Sequence, residues 1–136
     1  MRIKAFINVS ITGKPAFFAY TYLGALPSGA FASNGHIAFT LNSVFPAHAL
    51  LGGIGRAFVS RKLLEATTMD EALAIATQPG QATGHNFQLL EFSTGKMVNV
   101  EVGYLPGTGT ASVVDDVARA GGYLFHANQC VLAAMC

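Results

Sequence analysis

Apolar and polar side chains alternate from Ile3 to Ser10, with Ile3, Ala5, Ile7 and Val9 on one face, and this period of two predicts a β-strand. Turn residues follow at Thr12-Gly13-Lys14-Pro15, then an aromatic-rich run from Ala16 to Leu23, so the first two strands read as a hairpin. Gly24 to Gly29, with Pro27 inside it, is a loop. Ala30 to Ser33 extends a strand into the Asn34-Gly35 turn, and Ile37 to Ser43 is a further strand. After Pro46 the period lengthens. Ala57, Phe58, Leu63, Leu64 and Ala66 fit a helix from about Arg56 to Ala66. Thr68-Met69-Asp70-Glu71 has the form of a capping box, in which the Thr68 hydroxyl accepts from the Glu71 amide and the Glu71 side chain reaches back. It opens a second helix, Met69 to Thr77, that stops before Pro79-Gly80. Two strands, His85 to Phe92 and Met97 to Val102, then flank the turn Ser93-Thr94-Gly95-Lys96. Pro106 to Gly109 reads as loop, Ser112 to Ala120 as a short helix and Tyr123 to Ala127 as a last strand. Hairpins interrupted by a helix pair predict an α+β layered fold with mostly antiparallel strands, a single domain over residues 1–136.

Charge changes this picture more than length does. Charged residues make up 11% of the chain, against roughly 25% in an average soluble domain. None occurs from Pro15 to Gly55, and none from Ala72 to Leu90. A surface so poor in charge predicts that part of the domain packs against something else, either more polypeptide or another subunit. The uncharged run is no membrane span, because Gly24, Pro27, Gly29, Asn34, Gly35 and Pro46 interrupt it well before about 20 apolar residues accumulate. Asn8, Ser10 and Thr12 likewise cut short any export signal beginning at Met1-Arg2. A net charge of +1 with no basic cluster beyond Arg56, Arg61 and Lys62 argues against nucleic acid as a partner. Cys130 and Cys136 make neither a disulfide framework nor a zinc pattern with His126, so reduced thiols and a cytoplasmic setting are expected, without metal or cofactor.

Several blocks of the chain, in order, resemble one family. Thr40-Leu41-Asn42-Ser43-Val44-Phe45-Pro46 is similar to a strand-plus-turn block of the acyl-CoA:6-aminopenicillanic-acid acyltransferase family. Gly55-Arg56, Arg61-Lys62-Leu63-Leu64-Glu65-Ala66 and Met69-Asp70-Glu71-Ala72-Leu73 resemble its helix pair. Gly84-His85-Asn86-Phe87 and Val98-Asn99-Val100-Glu101-Val102 resemble the following hairpin, and Phe125-His126-Ala127-Asn128-Gln129 its His-Thr-Asn-His segment. The chain departs from the family at Ser33, His36 and Gln129. The resemblance implies part of the αββα sandwich of N-terminal-nucleophile hydrolases. It also implies amide hydrolysis or acyl transfer through a Cys thioester, on a small amide or acyl-CoA substrate. In that family the catalytic Cys lies upstream of all these blocks. It becomes N-terminal by self-cleavage, so that its own α-amine serves as the base.

Met1-Arg2 offers no such nucleophile, and Cys130 and Cys136 come too late to head a catalytic domain. The expectation is an oxyanion-side portion, inactive alone, that needs a missing N-terminal segment or a partner chain. The alternative is a non-catalytic paralogue or partner subunit that keeps the fold as a binding module. The resemblance implies that Asn128 donates its side-chain amide to the tetrahedral oxyanion. Asn42, at the end of a strand, is the candidate for a second donor through its backbone N–H. His126, His85, Asn86 and Arg56 are candidates for substrate binding. Arg56 starts a helix, where a cation opposes the helix dipole, so a carboxylate or carbonyl partner is expected to hold it. His126 and Cys130 would form a dyad only on a helix, and the strand read there sets that aside. Gly52-Gly53-Ile54-Gly55 before a helix lacks the spacing of a phosphate cradle.

Overall fold

A computed structural model describes residues 3–26, 30–119 and 121–131. Their strands form a seven-stranded antiparallel sheet in which spatial order equals chain order. The strands are β1 (Lys4–Val9), β2 (Phe17–Tyr22), β3 (Phe31–Ser33), β4 (Ile37–Ser43), β5 (His85–Glu91), β6 (Met97–Leu105) and β7 (Gly109–Asp116), with α1 (Arg56–Leu63) and α2 (Met69–Ala76) inserted between β4 and β5. The strand alternation explains which face the helices cover. Phe17, Ala19, Phe39, Phe87, Leu89, Val98, Val100 and Val102 project to one side and pack with Val59, Leu63, Leu64, Ala72 and Ala76 of the helix pair in a continuous buried core.

Three side chains satisfy the ends of the helices, and two of them, Asn34 and Glu91, also join the helix layer to the sheet. Asn34, buried in the β3–β4 turn, donates from Nδ2 to the carbonyls of Leu64 (3.2 Å) and Ala66 (2.6 Å), and its Oδ1 accepts from the amides of His36 and Ile37. One residue therefore closes the turn and satisfies carbonyls left over at the end of α1. Gln81 does the same for α2, donating to the carbonyls of Ala76 and Gln78. At the other end of α2, Glu91 of β5 accepts from the Met69 amide at 2.8 Å, an anion at a helix N-terminus, and from the Thr94 hydroxyl. These bonds hold the carboxyl of Glu91 below its ordinary range, the Thr94 hydroxyl contributing most. The capping box forms with one change. Thr68 accepts from the Glu71 amide at 3.3 Å, but the Glu71 carboxylate takes the amide and hydroxyl of Thr67, one residue earlier than the pattern predicts.

The chain end departs from expectation twice. Residues 109–116, expected to begin a helix at Ser112, pair with β6 over eight positions, from Leu105↔Gly109 to Val98↔Asp116. The turn after Leu105 folds the chain straight back, and Val113 and Val114 suit the strand. Tyr123 to Ala127, expected as a strand, has no ladder partner. It crosses the sheet face away from the helices and is fastened there by side chains. Cys130 is disulfide-bonded rather than the reduced thiol expected. Met1, Arg2 and Cys136 lie outside the described residues.

The face away from the helices is divided. Its β1–β3 half is aromatic: Phe6 stacks on Phe18 with centroids 5.5 Å apart, and Tyr20 and Phe31 adjoin them. Phe6 remains 67% exposed. The β4–β6 half is polar, with Asn42, Asn86 and Glu101 directly opposite one another across three strands. No helix of the described residues is long and apolar enough to cross a membrane.

Replacing Asn34 by alanine removes four hydrogen bonds and strands buried carbonyls, so Asn34→Ala is expected to lower unfolding stability by about 2–4 kcal/mol. Urea denaturation monitored by circular dichroism measures this, and a loss under about 1 kcal/mol contradicts the joint assigned to Asn34.

Candidate functional site

A cleft opens at the sheet end where β2 and β4 finish and α1 begins. Tyr22, Leu26, Leu41, Asn42, Ser43, Arg56, Ser60 and Asn128 line it, with a volume of about 400 Å³. Three candidates from widely separated blocks, Asn42, Arg56 and Asn128, thus meet in one place. Arg56 enters from the first turn of α1 and donates from Nη1 to the Ser43 hydroxyl at 2.6 Å. The first turn of α1 carries no acidic residue, and among the described residues no carboxylate forms an ion pair with Arg56. Its expected carboxylate or carbonyl partner is instead a hydroxyl, and among the described residues no anion balances the positive charge at the cleft.

Asn42 sits differently from the backbone role expected of it. The Leu41 amide points toward β3, where it donates to the Ala30 carbonyl at 2.9 Å. Successive residues of a strand direct their amides to opposite neighbours, so the Asn42 N–H faces β5, with Asn86 directly opposite. The ladder occupies that donor. What Asn42 offers is its side chain, whose Nδ2 donates to the His126 carbonyl at 2.9 Å.

Asn128 lies in a bend after His126 and is exposed at the cleft. His126 is buried behind it, with Nε2 2.6 Å from Oε2 of Glu101. Asn86 is also buried and donates from Nδ2 to Oδ1 of Asn99 at 2.7 Å, so it braces the polar half of the sheet and does not line the cleft. His85 points the other way, opposite Ser43 and 4.7 Å from the Phe87 ring, with both ring nitrogens buried and unpartnered. Burial, and secondarily the charge of Arg56, push its pKa down from 6.5 to about 4.

Two further ideas fail on geometry. A His126–Cys130 dyad needs a thiolate, and Cys130 is disulfide-bonded. In the glycine run, the amides of Gly53 and Ile54 already donate to the carbonyls of Leu50 and Gly80, leaving those donors spent within the loop. Among the described residues no group of three or more His, Cys, Asp or Glu could hold a metal ion. Sequence reasoning missed Glu101, which is 1% exposed. The available signal was its place in the Val98-Asn99-Val100-Glu101-Val102 strand, on the same face as Asn99 and away from the valines.

A family model described as acyl-coenzyme A:6-aminopenicillanic acid acyl-transferase matches residues 4–135. Among solved structures the chain is similar to a Caenorhabditis elegans N-acylethanolamine-hydrolyzing acid amidase (NAAA) ortholog, with TM-score 0.61 and 14% identity. The likeness, one of fold, covers 97% of this chain and 60% of that one. The chain therefore spans about three fifths of the length of that relative. No curated protein matches.

The buried imidazole makes stability depend on acid. Its folded-state pKa lies below its unfolded value, so the stability it carries is whole above about pH 6.5 and is lost as pH falls toward about 4. The shift corresponds to on the order of 3 kcal/mol. The lowered carboxyl groups of Glu65 and Glu91 act in a separate window, below about pH 4.5. Stability curves taken between pH 6.5 and 4.5 should flatten in His85→Leu. An unchanged slope there contradicts the neutral, buried state of His85.

Proposed function

The chain belongs to the acyl-coenzyme A:6-aminopenicillanic acid acyl-transferase family, and from that membership we propose that it forms the oxyanion and substrate side of a centre that hydrolyses amides or transfers acyl groups. The observation that carries this reading is the convergence of Asn128 and Arg56 on one cleft beside Asn42. The fold supports an N-terminal-nucleophile hydrolase layer, with a helix pair on one face of an antiparallel sheet. The exposed aromatic half of the other face suits a second sheet, completing an αββα sandwich.

The nucleophile in this reading is a cysteine supplied by polypeptide beyond these 136 residues, on the same chain or a partner, since no described cysteine is free. Its thiolate attacks the acyl carbonyl, and its α-amine takes up the thiol proton. The carbonyl oxygen becomes an oxyanion, and Asn128 donates from Nδ2 to it. Collapse of the tetrahedral intermediate breaks the C–N bond, and the amine leaves with the proton held by the α-amine. The thioester that remains passes its acyl group to water or to another acceptor. Arg56, with no anionic partner among the described residues, pairs with a carboxylate or polarised carbonyl on the substrate. His126 supports the Asn128 bend from beneath, while His85 and Asn86 act on the scaffold rather than on substrate.

Two linked assays test this. The 136-residue chain alone is expected to show no saturable turnover of N-acyl amides or acyl-CoA thioesters. In the complete enzyme, Asn128→Ala is expected to lower kcat by about 10²–10³-fold with little change in KM, the usual cost of one oxyanion donor. Saturable turnover by the isolated chain, or a kcat unaffected by Asn128→Ala, contradicts the assignment.

A further inference from the structure

We infer that Glu101 is a positioning residue whose two carboxylate oxygens fasten the chain on either side of Asn128. Oε2 lies 2.6 Å from Nε2 of His126, two residues before Asn128. Oε1 accepts from the Val131 amide at 2.7 Å, three residues after it. A single side chain thus brackets the bend. Because an ionised carboxylate only accepts, the bond fixes a proton on Nε2 of His126 and holds the ring at one orientation. Asn42 adds a third tether by donating to the His126 carbonyl.

Residues 121–131 have no helix or strand, so no backbone ladder fixes them. Apolar burial holds them only at Leu124, which is half-buried, for Tyr123 is 77% and Phe125 88% exposed. Besides the disulfide at Cys130, polar bonds to the sheet hold the segment, and Glu101 is the group that meets it at two points. The sheet makes that side chain a good reference for position. Glu101 lies within the long β6 strand, between Asn86 on β5 and Val113 on β7, and its own side chain is 2% exposed. A carboxylate so placed has few orientations, so the atoms it holds inherit the rigidity of the sheet. Displacing a reacting or stabilising group by about 1 Å is enough to cost on the order of 10²-fold in rate.

This inference rests on the reading of Asn128 as the oxyanion donor, and the test below separates the two. The experiment is heteronuclear NMR on the 136-residue chain with labelled Asn and His, comparing Glu101→Ala and Glu101→Gln with the parent. In Glu101→Ala, the Val131 amide should exchange at least about tenfold faster, and the backbone amide and Cα signals of Asn128 should move toward random-coil positions, while amides of Phe87 and Val100 stay protected. Glu101→Gln should restore the Asn128 signals, since a carboxamide oxygen still accepts from Val131. Its NH2 group must donate to His126, so the imidazole nitrogens should exchange roles, with the proton moving to Nδ1. That tautomer change is a signature that a general loss of packing would not produce. Asn128 signals and Val131 exchange unchanged in Glu101→Ala overturn the inference, as does an unaltered His126 tautomer in Glu101→Gln. If Glu101→Ala does not fold, Glu101→Gln decides alone by its tautomer and its Asn128 signals. Failure of Asn128→Ala to alter kcat would instead remove the catalytic reading and leave these spectra as they are.

Discussion

A carboxyl group buried in the middle of a sheet has to be given partners, and most of the candidate site's geometry follows from how this chain meets that demand. The strand alternation sends Val98, Val100 and Val102 into the core and leaves Glu101 on the opposite face. Leaving a charge there unpaired costs several kcal/mol, more than one good hydrogen bond returns. Residues 126–131 provide the partners. The stretch that solves the electrostatic problem of Glu101 is the stretch that carries Asn128 to the cleft, so sheet stability and site geometry are tied to the same bonds.

The two faces of the sheet divide the work. Helices cover one face and build the core, with Asn34 and Glu91 joining the layers at the helix ends. The other face holds the polar row Asn42–Asn86–Glu101 beside an aromatic patch around Phe6 and Phe18. The cleft lies where both faces end, which is why Arg56, from the helix side, and Asn128, from the far side, reach one space. His85 belongs to the helix side; its buried neutral ring contributes to the fold under Ser43 and Arg56 rather than to the cleft.

Legibility in the sequence followed the range of the interactions involved. Period-two alternation revealed β1, turn residues and apolar or aromatic runs revealed β2 to β6, and the capping box located α2, because these signals are written within a few neighbouring residues. The last quarter was misread for the converse reason. Ser112 to Asp116 looks helical in isolation, and only pairing with β6 makes it a strand. Tyr123 to Ala127 has strand-like composition, yet its fixed points are side-chain bonds to Glu101 and Asn42, 25 and 84 residues away in the chain. Asn128 and Arg56 were reached through motif resemblance. Glu101 was not, because a lone acid between valines reads as a solvent-facing position until something is seen to cover it. The backbone role imagined for Asn42 failed on a detail no motif records, namely which neighbour its N–H faces.

The most direct test of the catalytic account is a crystal structure of the complete enzyme, with a substrate-derived aldehyde captured on the nucleophile as a tetrahedral adduct. The account expects Nδ2 of Asn128 about 2.7–3.1 Å from the adduct's oxyanion. An oxyanion bound entirely by other donors, with the Asn128 amide turned away from it, would contradict the account at its centre.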